Sequence, residues 1–123
     1  MDSLDLQVLQ QARDWQQSGH RVWLVTVVET WGSAPRPPGA LLALREDGLV
    51  VGSVSGGCVE DDLIERVRTG ERVARPSEIR YGVSKEEAAR FGLPCGGTLR
   101  LVQQPLLSSA WIDELMARTA RHE

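Results

Sequence analysis

Apolar residues recur along this chain first at helical and then at strand spacing, and the changes of period lay out the elements. Leu4, Val8, Ala12 and Trp15, with Leu9 beside them, share one helix face, which predicts a helix over about residues 4–18. Ser3 or Asp2 can cap its start, and Gly19 closes it. Val22-Trp23-Leu24-Val25-Thr26-Val27-Val28 is β-branched with little alternation, the pattern of a strand buried on both faces. Glu29 and Thr30 lead out of it to Trp31-Gly32. Pro35, Pro37 and Pro38 then remove backbone donors and fix φ, so the segment 33–39 reads as a stiff loop carrying one cation, Arg36.

Leu41-Leu42-Ala43-Leu44 and Leu49-Val50-Val51 flank Asp47-Gly48, a hairpin signal. The second strand of that hairpin runs directly into Gly52-Ser53-Val54-Ser55-Gly56-Gly57-Cys58. Beyond it, Val59, Leu63, Ile64 and Val67 make an amphipathic helix that ends at Gly70. Ile79 and Tyr81 belong to a short strand. Ser84 and Glu87 have capping-box spacing for a helix of one or two turns closed by Gly92. Thr98 to Gln103 form a strand that Pro105 ends. Ser108 or Ser109 caps a last helix with Trp111, Ile112, Leu115 and Met116 on one face. This order predicts an α+β or α/β fold: a mixed sheet of about five strands with helices packed on it.

Composition narrows the function. A chain of 123 residues is read as a single domain over 1–123, large enough to bury a core without metal or disulfide staples. A net charge of −3 leaves no footprint for nucleic acid, and no basic run suggests a membrane surface. Asp2 and Asp5 deny the N-terminus a signal peptide's cationic region, and no apolar run approaches the ~20 residues of a membrane span. A cytoplasmic setting is expected, in which the 2 cysteines are thiols rather than a staple.

Those cysteines carry the main functional signal, because both sit in double-glycine loops. Gly56-Gly57 precedes Cys58 at a helix start, and Gly96-Gly97 follows Cys95 at a strand start. Paired glycines let a ligand approach the backbone closely. A loop opening a helix offers free N–H groups and a dipole to an anion, and that dipole lowers the pKa of a thiol placed there. Ser53 and Ser55 add hydroxyl donors, and Arg36 offers a fork suited to phosphate or carboxylate. Against this, Glu60, Asp61 and Asp62 place negative charge in the first turn, and a strand-to-helix turn alone also uses glycine. The lysine of a phosphate-binding P-loop is missing. Two cysteines about 37 residues apart lack the pairing of a zinc site, and His20 and His122 have no ligand spacing. No nucleophile elbow supports a serine hydrolase. Trp15, Trp23 and Trp111 read as core residues, whereas Trp31 could line a pocket.

Thr30-Trp31-Gly32-Ser33-Ala34-Pro35-Arg36, Gly52 through Glu60, Arg80-Tyr81-Gly82-Val83 and Gly92-Leu93-Pro94-Cys95-Gly96-Gly97-Thr98 occur in that order. Together they resemble the N-terminal domain of the XdhC/CoxI family, accessory proteins of molybdenum hydroxylases such as xanthine dehydrogenase, over about residues 22–105. The resemblance implies a maturation factor rather than a metabolic enzyme. Such a factor binds the molybdenum cofactor, a phosphorylated pterin dithiolene (molybdopterin), as cargo. It protects the cofactor during sulfuration and helps deliver it to an apo molybdenum hydroxylase. Partners admitted by that reading are the hydroxylase, a cysteine desulfurase and a second copy of the chain as a homodimer.

The residues implied to hold the cofactor are Arg36, Ser53, Ser55, Gly56, Gly57, Cys58, Glu60, Cys95, Gly96, Gly97 and Thr98, with no catalytic residue and no resident metal. Members of the family continue into a dinucleotide-binding-like domain, for which this sequence has no GxGxxG after a strand, so that part is expected to be absent or supplied by a separate chain. A thiol-dependent sulfur carrier or redox enzyme, and a cofactor-free scaffold for another protein, are the alternatives that the two cysteine loops leave open.

Overall fold

The computed structural model describes residues 3–31, 38–54, 58–70, 72–82, 86 and 98–120, excepting the side chains of Trp31 and Cys58. Helix α1 spans Ser3–Gln17, strand β1 Val22–Trp31, β2 Leu41–Arg45, β3 Val50–Gly52, helix α2 Cys58–Arg68, β4 Ser77–Tyr81, β5 Thr98–Pro105 and helix α3 Ala110–Ala120. The elements predicted from periodicity are present, except that the short helix expected after Ser84 lies outside the described residues. Two strands run longer than the pattern suggests: β1 continues through Glu29 and Thr30, and β5 includes Pro105.

The five strands form one sheet in the order β3-β2-β1-β5-β4. The expected mixed sheet resolves into an antiparallel one, since every neighbouring pair is antiparallel. The reason lies in the connections. Neighbours β1–β2, β2–β3 and β4–β5 are joined by segments that reverse the chain, while the helical crossover through α2 links β3 to β4 at opposite edges of the sheet.

β1 is central and buried on both faces, as its unbroken apolar run predicts. On one face Trp23, Val25 and Val27 join Leu42, Leu44, Leu99, Leu101 and Tyr81 beneath Val59, Leu63 and Val67 of α2. Trp23 is 1% exposed and its indole N–H donates to the Val73 carbonyl at 2.9 Å, so the polar atom of the largest buried side chain is satisfied. On the other face Val22 and Leu24 join Val8, Leu9 and Ala12 of α1, with Leu106 and Ile112. Trp15 packs on this second cluster from its edge, and Arg45 lies over its ring at 5.3 Å. Trp111 departs from the expectation: it is 46% exposed, because α3 turns Ile112, Leu115 and Met116 toward α1 and leaves Trp111 outside.

A bulge shapes one end of the sheet. Val27 pairs with Leu101 but Glu29 pairs with Arg100, so Val28 is an extra residue on β1. Pairing of β1 with β2 stops at Thr26–Leu41, whereas its pairing with β5 continues to Trp31–Thr98. Beyond the bulge β1 follows β5. An ionic ladder holds this end on the face away from α2: Arg100 bridges Glu29 at 3.2 Å and Glu78 at 3.1 Å, and Arg80 bonds the same Glu78. The hydrogen bond from Arg80, and then that from Arg100, hold the Glu78 carboxyl below its ordinary pKa.

Candidate functional site

β1, β3 and β4 run toward the bulged end of the sheet, and β2 and β5 run away from it. Three connections therefore leave or enter at this one end: β1 to β2, carrying Arg36; β3 to α2, carrying Ser53, Ser55, Gly56 and Gly57; and β4 to β5, carrying Cys95, Gly96 and Gly97. Arg36, Ser55, Gly56, Gly57, Cys95, Gly96 and Gly97 themselves lie outside the described residues. Cys58 is the first residue of α2, as the sequence predicts. The flanking residues are described, and they fix where each connection is anchored.

The first anchor is Gly52, the last residue of β3. Its φ of +92° is open to glycine, and a Cβ there would come within 2.4 Å of the Leu41 carbonyl oxygen and 2.6 Å of Val8 Cγ2. The chain thus leaves the sheet in a turn pressed against β2 and α1. Ser53 follows, its N–H donating to the Leu41 carbonyl at 3.3 Å. The Leu41 N–H in turn donates to the Asp5 carboxylate at 3.2 Å, which ties the first turn of α1 to the same corner.

The second anchor closes the first glycine loop. Glu60 is 9% exposed, and its Oε1 accepts the Val54 N–H at 2.8 Å in a buried bond. Val54 and Glu60, which flank residues 55–57 in sequence, are thereby joined backbone to side chain. The acid stands third in the helix, where a capping box uses Glu to reach back to a backbone donor. Replacing Glu60 by Ala strands the buried Val54 N–H and should cost about 1–3 kcal/mol in urea unfolding, while Glu60→Gln keeps an acceptor and should lose about half of that or less.

The third anchor joins α2 to the far side of the sheet. Asp62 Oδ2 accepts the Tyr81 hydroxyl at 2.6 Å and the Arg66 Nε–H at 2.8 Å, and Arg66 lies over the Tyr81 ring at 5.7 Å. Tyr81 is the last residue of β4 and pairs with Leu99, next to Thr98. Thr98 Oγ1 donates to the Gly82 carbonyl at 3.0 Å, which binds the exit of β4 to the entry of β5. At the opposite end of the sheet α2 finishes beside the β2–β3 turn, where Arg68 and Ile64 approach Gly48. The N-terminus of α2 is thereby aimed at the bulged end. Asp62 stands one turn, about 6 Å along the axis, from Cys58.

These anchors revise the charge picture of the helix start. The three acids expected to repel an anion there are not equivalent. Glu60 and Asp62 are engaged by donors within the fold, and Asp61 is the exposed one. The Asp62–Arg66 pair is legible as an i, i+4 spacing, whereas the bond from Tyr81 to Asp62 joins residues 19 apart and has no local signal. Among the described residues no three His, Cys, Asp and Glu cluster as a metal site.

The profile of the XdhC and CoxI family matches residues 15–82. The molybdenum cofactor insertion chaperone PaoD of Escherichia coli (strain K12) is 44% identical over 98 residues, 75% of this chain and 29% of that protein. A protein of Bacillus subtilis (strain 168) named as a probable xanthine dehydrogenase component is 33% identical over 73 residues, 59% of this chain and 22% of that one. The crystal structure of a xanthine dehydrogenase from Bacillus halodurans superposes with a TM-score of 0.70 at 27% identity, covering 92% of this chain and 35% of that one. The chain thus spans about a third or less of the length of these relatives.

Proposed function

The chain belongs to the XdhC and CoxI family, and on that premise we propose that it is a chaperone for the molybdenum cofactor, which it shields and passes to an apo molybdenum hydroxylase. The observation that carries the proposal is the anchoring of the Arg36, Cys58 and Cys95 segments at one end of the sheet. The name of the Escherichia coli relative supports the choice of cargo.

The residues fit the chemistry of that cargo. The pterin phosphate is an anion, and it is served by the Arg36 guanidinium together with the N–H groups of Gly56 and Gly57 that precede α2. Ser53, Ser55 and Thr98 supply hydroxyls to the polar pterin edge. The Cys58 and Cys95 thiols are soft donors suited to molybdenum or to a sulfur in transit. Thr98 Oγ1 is bonded to the Gly82 carbonyl at 3.0 Å, so the described residues on either side of the Cys95 segment meet at that end of the sheet. Glu60 holds Val54, which precedes the glycine loop, through its buried hydrogen bond. Sulfuration of the cargo by a cysteine desulfurase belongs to the same proposal, with the thiols screening the metal from water and oxygen in a reducing cytoplasm.

Mixing the purified protein with cofactor released from a molybdenum enzyme, in anaerobic buffer, tests this. Molybdenum and pterin fluorescence should co-elute with the protein in gel filtration. Elution of both at small-molecule volume, with the protein folded, overturns the reading.

A further inference from the structure

The end of the sheet away from the cysteine segments carries an apolar groove that the cofactor reading does not use. Two adjoining concavities, of about 660 and 290 Å³, share Ala74 and the 105–107 segment where β5 gives way to α3. Leu107 is 80% exposed and Trp111 46%, and both line the larger concavity. Arg75 and Pro76 also line that concavity, and His20 and Arg21 line the smaller one. A leucine and a tryptophan left open around one concavity mark an interaction surface rather than scattered surface apolarity.

Its charge says what kind of partner fits. The chain has 17 acidic and 14 basic residues, yet no carboxylate lines either concavity among the described residues. The charged linings are Arg75 and Arg21, with His20 beside them. Glu46, the acid bonded to His20, is already held by that ring at 3.2 Å and by the Arg21 N–H at 2.6 Å. Arg21 lies over the Trp23 ring at 5.4 Å, which steadies its guanidinium at the groove.

We infer that this groove receives an acidic amphipathic segment of a partner polypeptide, its apolar side chains packing on Leu107 and Trp111 and its carboxylates meeting Arg21 and Arg75. Such a segment in a groove follows a common recognition mode, and opposite charge steers its approach. The groove begins where β5 ends, about 23 Å along the strand from Thr98. A partner can therefore be held while the cysteine end stays open. The inference goes beyond the cofactor proposal and does not depend on it.

A fluorescently labelled synthetic helix of about four turns, with leucines on one face and glutamates on the other, provides the probe, and its twin carries lysine for each glutamate. Anisotropy titration of the full chain should show the acidic peptide binding at least roughly tenfold more tightly than the twin and weakening as salt is raised. Leu107→Asp, a change at an exposed position, should abolish the binding, and Arg21→Glu with Arg75→Glu should reverse the preference between the two peptides. Absence of binding, equal binding of both peptides, or indifference to Leu107→Asp overturns the inference. So does a dimer in sedimentation that Leu107→Asp dissociates, since the groove then belongs to a second copy.

Discussion

Gly52→Ala is expected to remove about 3–5 kcal/mol of stability, a large share of the roughly 5–15 kcal/mol that a domain possesses. Two costs combine. The residue has φ of +92°, where an L side chain costs roughly 1–2 kcal/mol. The new Cβ would also stand 2.4 Å from the Leu41 carbonyl oxygen, 2.6 Å from Val8 Cγ2 and 3.2 Å from Leu42 Cα. Two of these neighbours are backbone atoms of the strand that pairs with Gly52, and the third belongs to a residue with no exposed surface, so none can yield cheaply. Gly70→Ala is the control: its φ is +98°, but nothing lies within 4 Å of the added Cβ, and a loss of about 1–2 kcal/mol is expected. Urea unfolding of both variants measures the difference. Equal losses would show that conformation alone, and not the contact with β2 and α1, makes glycine necessary at the entrance to the first cysteine loop.

Cys58→Ala should have the opposite profile, with stability close to that of the parent and retention of the cofactor reduced roughly tenfold or more, about 1.4 kcal/mol or greater. The reasoning is local. Cys58 opens α2, whose position is set by Asp62 on Tyr81, by Glu60 on Val54 and by Val59 and Leu63 in the core. None of these requires sulfur at residue 58, so the thiol can be removed while its supports remain. Cofactor retention of Cys58→Ala, measured by equilibrium dialysis beside an unfolding curve, separates the outcomes. Unchanged retention would assign Cys58 to the turn and leave the cargo to other groups. A parallel loss of stability would mean that the thiol supports the fold.

Much of the fold is legible because each element carries its own period. The unbroken apolar run of β1 announces a strand covered on both faces, and Asp47-Gly48 announces the β2–β3 hairpin. Strand direction is less legible. The crossover through α2 suggests a parallel neighbour, but nothing local to the chain says that β4 lands on the edge opposite β3. Trp111 departs from its expected place for a related reason: helical spacing identifies a face, and its edge residues are settled by how far α3 rolls onto α1.

The site divides in the same way. The Cys/Gly-Gly stretches stand out as motifs, and the structural part of Glu60 is signalled by its capping position. The Asp62–Tyr81 bond, the contact of Gly52 with Val8 and the cationic lining of the groove are long-range pairings without a sequence period.

Chemical cross-linking of the two thiols tests the central claim most directly. A short bifunctional thiol reagent added to the native protein should join Cys58 to Cys95 within one chain, and bound cofactor should slow the reaction. If each thiol of the folded protein instead takes up a separate reagent molecule and no internal link forms, the two cysteine segments do not share a pocket and the proposed cargo site is contradicted.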